Sequence, residues 1–115
     1  IQPNDKKSLE KLFKEWKLNH GEKEFTILDI KIECELKNYN YLLYDQTDDL
    51  TSISSMARTT GYTATATINY LIEKGHKNYG VFPPEIISND KDIWIYINRY
   101  LSSRNIQISE TIVNK

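Results

Sequence analysis

The amino-acid sequence predicts a small α+β domain, in which one long helix and two shorter helices accompany a small antiparallel or mixed sheet. Two observations carry this prediction. Apolar and charged residues alternate strictly over residues 25–36, which is typical of a strand with one buried face. Apolar residues recur at three- and four-residue intervals over residues 4–18, 53–74 and 93–103, which is typical of amphipathic helices.

The first predicted element is a helix over residues 4–18. Asn4 or Asp5 can cap it, because a short polar side chain there accepts a hydrogen bond from a free backbone N–H. One face is apolar and carries Leu9, Leu12, Phe13 and Trp16. Gly21 can take the left-handed backbone conformation that follows a helix end.

A β-hairpin is predicted next. Its first strand places the apolar residues on one face, and these are Leu28, Ile30, Ile32, Cys34 and Leu36. We expect this face to be buried, including the thiol of Cys34. A turn at Lys37 and Asn38 then brings residues 39–44 back as an antiparallel partner, because Asn tolerates turn conformations.

The long helix is predicted over residues 53–74, with Thr51 or Ser52 as its cap. It is rich in Thr and Ala, and Gly61 in its middle costs about 1 kcal/mol relative to Ala. We therefore expect tight packing to hold this helix, with another backbone or a ligand close to Gly61. Gly75 ends the helix.

The C-terminal part combines an extended segment with a helix and a strand. Two consecutive prolines at positions 83 and 84 force an extended path, after which a short turn can begin. A helix over residues 93–103 can be capped by Asn89 or Asp90. Alternating isoleucines indicate a last strand, and these are Ile106, Ile108 and then Ile112.

The composition argues against several classes of function. With 15 basic and 16 acidic residues, the chain lacks the basic excess typical of nucleic-acid binders. No apolar stretch reaches membrane-spanning length, and no secretory signal is recognisable. One cysteine fits a reducing compartment, and we expect a cytoplasmic protein.

No catalytic, cofactor-binding or metal-binding pattern can be recognised in the sequence. His20, His76 and Cys34 match no known ligand spacing, so we expect no metal. The four glycines form no phosphate-binding motif, so no nucleotide site is expected in this chain. The first residue is Ile1 and not methionine, so we expect the chain to be part of a longer product.

Arg58 is the most informative charged residue. It lies near the start of the long helix beside Thr59 and Thr60, and a guanidinium with two hydroxyls can bind a carboxylate or a phosphate there. These three residues are therefore candidate substrate-binding residues. The alternative is that Arg58 forms an ion pair with the acidic residues of segment 45–49 and ties the helix to that loop.

Several short motifs carry a resemblance to a known family. They are Asp45, Asp48 and Thr51, the stretch MARTTGYTA at 56–64, Gly75, GVFPPE at 80–85 and LSSRNI at 101–106. On these residues the chain resembles the C-terminal part of the saccharopine dehydrogenase family, taken broadly to include lysine 6-dehydrogenase-like and carboxynorspermidine dehydrogenase-like proteins. The resemblance marks as motif residues Met56, Gly61, Tyr62, Pro83, Pro84 and Glu85.

The resemblance implies a two-domain oxidoreductase of lysine metabolism or related chemistry. Its N-terminal Rossmann domain binds NAD or NADP, and the enzyme acts on an amino-acid-derived secondary amine or imine. That Rossmann domain is missing here, so residues 1–115 are expected to form a single C-terminal domain that shapes the substrate site and is inactive alone. A homodimer is also expected, in which a second copy covers an apolar face carrying Met56, Ala64 and Tyr70.

Two interpretations without catalysis stay open. The chain can be a stand-alone interaction or dimerisation module that uses the hairpin tyrosines Tyr39, Tyr41 and Tyr44, although core packing explains these tyrosines as well. The chain can also be a sensor that binds a small molecule without converting it.

Overall fold

A computed structural model describes residues 6–75 and 80–115 of the chain. In chain order the elements are α1 (Lys6–Trp16), β1 (Phe25–Glu33), β2 (Lys37–Gln46), α2 (Ser55–Glu73), α3 (Pro84–Ile87), α4 (Lys91–Ser102) and β3 (Gln107–Asn114). The described residues thus combine a three-stranded antiparallel sheet with four helices, and the predicted α+β class is confirmed. The caps expected at Asn4 and Asp5, and His76, lie outside the described residues.

The three strands are antiparallel in the order β1-β2-β3, so β2 is central. Leu28 on β1 lies opposite Leu43 on β2, which lies opposite Ile108 on β3. These side chains share one face of the sheet, because directly paired residues point the same way. Leu43 is buried in a core with Leu101 of α4 and with Ile106, so the helices pack on this face.

The turn between β1 and β2 lies earlier than predicted. The Cys34 N–H donates to the Lys37 carbonyl oxygen at 3.0 Å, so the turn spans residues 34–37 and the prediction of a turn at Lys37 and Asn38 is wrong. Asn38 instead pairs with Glu33 on one side and with Val113 on the other. The second pairing holds β2 extended as far as Lys37, and no local pattern in the hairpin reveals that pairing.

The apolar face of β1 is much more exposed than predicted. Leu28, Ile30 and Ile32 face the helices, yet these side chains are 49%, 42% and 45% exposed. Cys34 and Leu36 are exposed as well, so the predicted burial of this face and of the thiol is wrong. The reason is that β1 is an edge strand, whereas the buried core lies over β2 and beside β3.

Helix α2 begins two residues later than predicted. Its N-cap is Ser54, whose Oγ accepts a hydrogen bond from the Ala57 N–H at 3.2 Å. The predicted caps Thr51 and Ser52 are wrong, because Ser52 adopts a φ of 57° in the preceding loop. Residues in that left-handed conformation cannot continue a right-handed helix.

Four of the five threonines of α2 donate their hydroxyl hydrogen to a carbonyl oxygen of the same helix. Thr63, Thr65 and Thr67 each donate to the carbonyl oxygen four residues earlier, at 2.6, 2.8 and 2.9 Å. This bonding explains how a helix of low intrinsic propensity accommodates so many β-branched residues.

Tyr70 joins α2 to α4. It is only 3% exposed, and its hydroxyl donates to Asp90, which is the N-cap of α4 as predicted and accepts from the Asp92 N–H at 3.1 Å. Burial, followed by the hydrogen bond to Asp90, raises the pKa of Tyr70 to about 12. The expected exposed face with Met56 and Ala64 therefore does not include Tyr70, which α4 covers.

The two remaining helices are α1 and α3. None of the α1 residues is buried, and Phe13 and Trp16 are 68% and 75% exposed. The helix α3 begins at Pro84 with Pro83 at its N-cap, which confirms the predicted short turn after an extended proline segment.

Two glycines provide a test of α2. A methyl group at Gly61 would meet nothing within 4 Å, so Gly61→Ala should raise the free energy of unfolding by about 0.5–1 kcal/mol, because Ala has the higher helix propensity. Gly75 adopts a φ of 64°, which is strained for Ala. Gly75→Ala should therefore lower the free energy of unfolding by about 1 kcal/mol. Urea unfolding measures both, and a destabilising Gly61→Ala would contradict the open surroundings of this glycine.

Candidate functional site

The candidate site is built around Arg58, which lies in the first turns of α2 and is only 6% exposed. Its Nε and Nη2 atoms donate to the two carboxylate oxygens of Asp45, each at 3.2 Å. Its Nη1 atom donates to Asp48 at 2.7 Å. The guanidinium therefore binds the end of β2 in a bidentate ion pair and holds the following loop as well.

Asp48 is fixed by the backbone of its own loop. Its Oδ1 accepts from the N–H groups of Leu50 at 2.8 Å and Thr51 at 3.3 Å. These backbone hydrogen bonds, with a smaller contribution from Arg58, hold the pKa of Asp48 below its ordinary value. The hydrogen bond with Asp45 raises the pKa of Arg58, so Arg58 and Asp48 both stay charged at neutral pH.

A second arginine extends this network toward the C-terminus. The Nη2 atom of Arg58 also donates to the backbone oxygen of Arg104 at 2.9 Å. The guanidinium carbon of Arg104 lies 3.5 Å from the centre of the Tyr100 ring and 5.3 Å from that of Tyr62. Arg58 thus joins β2, α2 and the turn after α4, which are far apart in sequence.

Every nitrogen of the Arg58 guanidinium is engaged within the protein. This geometry favours the interpretation in which Arg58 ties α2 to residues 45–49. A role in substrate binding stays a prediction, and it would require a ligand to displace Asp45 or Asp48 from a buried ion pair, which is costly.

Thr59 and Thr60 line a cleft between the sheet and the helices α2 and α4, which we call the sheet–helix cleft. Its volume is about 940 Å³ and its lining is mostly apolar. The floor includes Leu28 and Ile30 of β1, and the helical wall includes Trp94 of α4. Arg58 does not line the cleft, so the structure separates it from the two threonines beside it in sequence.

The two threonines differ in what they can offer a ligand. The Thr59 hydroxyl donates to the Ser55 carbonyl oxygen at 2.9 Å and so keeps only its capacity to accept. The Thr60 hydroxyl has no hydrogen-bond partner within residues 6–75 and 80–115. Its hydroxyl can both donate and accept in the cleft, which makes Thr60 the candidate residue with free hydrogen-bonding capacity.

The remaining motif residues are spread over the domain. The Tyr62 ring lies 6.0 Å from the Arg58 guanidinium and packs against the core. Met56 is 66% exposed, and Gly61 faces open space. The other three lie at the start of α3, beside the C-terminal end of α2, and these are Pro83, Pro84 and Glu85.

Sequence reasoning missed the aromatic pair of the cleft. The rings of Tyr41 and Trp94 meet edge to face at 6.1 Å, and both line the cleft. The signal in the sequence was limited to an aromatic strand and to a Trp beside the apolar face of the last helix. Nothing local pairs the two residues, because the contact depends on how α4 lies over the sheet.

Comparison with known proteins identifies the family. The family model of the saccharopine dehydrogenase C-terminal domain matches residues 7–106. The chain belongs to this family. The resemblance drawn from the motifs is therefore confirmed, and the chain is a dehydrogenase-type domain. No curated protein and no solved structure matches it.

This saccharopine dehydrogenase C-terminal domain shows no dinucleotide site in its described residues. Gly61 lies within α2, and Gly21, Gly75 and Gly80 adopt positive φ in separate turns, so no glycine-rich loop presents backbone N–H groups to a pyrophosphate. The described residues therefore do not form a site that fits NAD or NADP.

The described segments contain no group of three or more His, Cys, Asp or Glu residues that could hold a metal ion. None of their helices combines the length and the apolar character needed to cross a bilayer.

Loss of the Arg58 charge should destabilise the saccharopine dehydrogenase C-terminal domain strongly. Arg58→Met leaves Asp45, which is 5% exposed, without its cation, so the free energy of unfolding should fall by about 3–5 kcal/mol. The exposed pair of Lys23 and Asp49, at 2.6 Å, is the control, and Lys23→Met should change it by less than about 1 kcal/mol. Denaturant unfolding of both variants makes the comparison, and equal effects would contradict the central role of Arg58.

The lowered pKa of Asp48 predicts a loss of stability in acid. A carboxylate whose pKa falls on folding contributes stability above its unfolded pKa and loses it as the pH falls through its folded pKa. The wild-type free energy of unfolding should therefore decline below about pH 4, and Asp48→Asn should remove part of that decline. Urea unfolding from neutral to acid pH measures this, with Asp49→Asn as the control. Identical declines in wild type and Asp48→Asn would contradict it.

Proposed function

We propose that this chain is the substrate-side domain of an NAD(P)-dependent oxidoreductase acting on an amino-acid-derived secondary amine or imine. Membership of the saccharopine dehydrogenase C-terminal domain family supports the oxidoreductase assignment. In this proposal residues 1–115 form one domain that is inactive alone, works as a homodimer and completes an N-terminal Rossmann domain. The cofactor, when bound to that Rossmann domain, supplies or accepts the hydride.

The sheet–helix cleft is the observation that carries the proposal. Its volume of about 940 Å³ and its apolar lining suit the carbon chain of an amino-acid-derived substrate, and the free hydroxyl of Thr60 can orient a polar group of that substrate. Thr60 also belongs to the motif on which the family resemblance rests.

The exposure of the cleft floor supports a second domain over it. Leu28, Ile30 and Ile32 are nearly half exposed although they face the helices. A domain that closes the cleft would bury these side chains and exclude water. Water exclusion matters for this chemistry, because an imine exposed to water is hydrolysed.

Arg58 has a positioning role in this proposal. It holds the first turns of α2 against β2 through Asp45, and the next two residues along α2 line the cleft. The wall that carries Thr60 is therefore fixed from behind by an ion pair that the substrate does not touch.

Replacement of the Thr60 hydroxyl tests the proposal. In the gene product that contains both domains, Thr60→Val should raise KM for the amine or imine substrate about tenfold, because one hydrogen bond to the substrate is lost. Thr65→Val is the matched control, since that hydroxyl donates to the Gly61 carbonyl oxygen at 2.8 Å and does not line the cleft. Oxidation of NADH and NADPH is measured with lysine, saccharopine and polyamine-type substrates. Absence of turnover with all of them would contradict the proposal.

A stand-alone interaction or dimerisation module is the second candidate function. Of the hairpin tyrosines, only Tyr44 is exposed, at 56%, and its ring stacks on that of Phe25 at 6.2 Å on the face away from the helices. Tyr41 instead faces the cleft and donates to Glu110 at 2.7 Å. A partner that binds the isolated chain and is lost on Tyr44→Ser, but not on Tyr41→Phe, would favour this function.

A further inference from the structure

One side of β1 pairs with no other strand of residues 6–75 and 80–115. The strand pairs with β2, and no other described strand lies on its second side. The Cys34 N–H and the Glu24 carbonyl oxygen bond to the β2 side at 3.0 and 2.9 Å, so even-numbered residues of this strand direct their backbone groups inward. The outward N–H and C=O groups belong to the odd-numbered residues, which are Phe25, Ile27, Asp29, Lys31 and Glu33.

We propose that a second copy of this chain pairs with this edge, β1 against β1 in antiparallel orientation, about a two-fold axis at Ile30. The two sheets then form one continuous sheet. The outward backbone N–H and C=O groups of each copy form hydrogen bonds with those of the other. The inference rests on the homodimer in the proposed function and is independent of its chemistry.

The backbone pattern and the side-chain charges select this register. Hydrogen-bonded pairs across the new interface must join odd-numbered residues, and an axis at Ile30 places Asp29 of each copy opposite Lys31 of the other. Opposite charges that face each other across strands attract. An axis at Asp29 would place the Asp29 residues of the two copies opposite each other, and an axis at Lys31 would do the same for Lys31. Like charges in these positions repel.

The same register matches the apolar side chains. Ile30 lies opposite Ile30 of the second copy, and Leu28 lies opposite Ile32. These are the half-exposed side chains of the cleft floor, so pairing covers apolar area that the single chain leaves in water. An axis perpendicular to the sheet keeps the helices of both copies on one side, and the two cleft floors become continuous.

Charge exchange tests the pairing in the full chain. Asp29→Lys and Lys31→Glu should each raise the dissociation constant of the dimer about tenfold, because both symmetry-related charge pairs become repulsive. The double variant D29K/K31E should restore wild-type affinity, and an equimolar mixture of the two single variants should form a heterodimer. Sedimentation equilibrium measures these constants. A monomeric wild type at about 100 μM, or single variants that dimerise as well as wild type, would overturn the inference.

A cysteine placed on the axis tests the register directly. The non-hydrogen-bonded pair at Ile30 brings two β-carbons within disulfide reach, so Ile30→Cys in a Cys34→Ser background should form a covalent dimer on mild oxidation. Leu28→Cys in the same background is the control. Residue 28 of each copy lies opposite Ile32 of the other, so the two introduced cysteines are too far apart to form a disulfide. Equal cross-linking of both variants would overturn the register. A dimer without turnover contradicts the proposed chemistry alone. Turnover by a monomer contradicts this inference and the homodimer of the proposed function, but leaves the proposed chemistry standing.

Discussion

The burial of a single guanidinium, that of Arg58, is the constraint on which the rest of the domain depends. A buried charge without partners is costly, so the fold must bring acceptors to it. Asp45, Asp48 and the Arg104 carbonyl oxygen arrive from three separate segments. Their convergence sets how α2 lies on the sheet, and with it the wall of the sheet–helix cleft.

Local chemistry in the sequence predicted most of the elements. The alternation on β1, the glycine at the end of α2, the prolines before α3 and the Asp90 cap of α4 act over a few residues, and the structure contains each of these elements. The ion pair of Arg58 with segment 45–49 was also accessible, because an arginine near a cluster of aspartates has a short list of partners. The family followed from the motif stretches and is shown by the match over residues 7–106.

What the sequence could not predict depends on which elements lie next to each other. The alternation on β1 states which side chains share a face, but Leu28 stays half exposed because it lines the open sheet–helix cleft and not the core over β2. The hairpin turn moved because β3 pairs with Asn38 from a distant part of the chain. The different surroundings of Arg58 and Thr60 required coordinates, since residues two apart on an α-helix point about 200° apart and so face nearly opposite sides.

The separation of β2 and β3 in sequence has a consequence for the order of folding. The hairpin of β1 and β2 closes a short loop. Pairing of β3 with β2 closes a much longer loop that contains the intervening helices, so its entropic cost is larger. During synthesis the growing polypeptide therefore carries a two-stranded ribbon of β1 and β2. One edge of β2 has no partner strand until residues 107–114 leave the ribosome. The nascent chain is most vulnerable to mispairing in that interval, and β3 acts as the closing step that ends it.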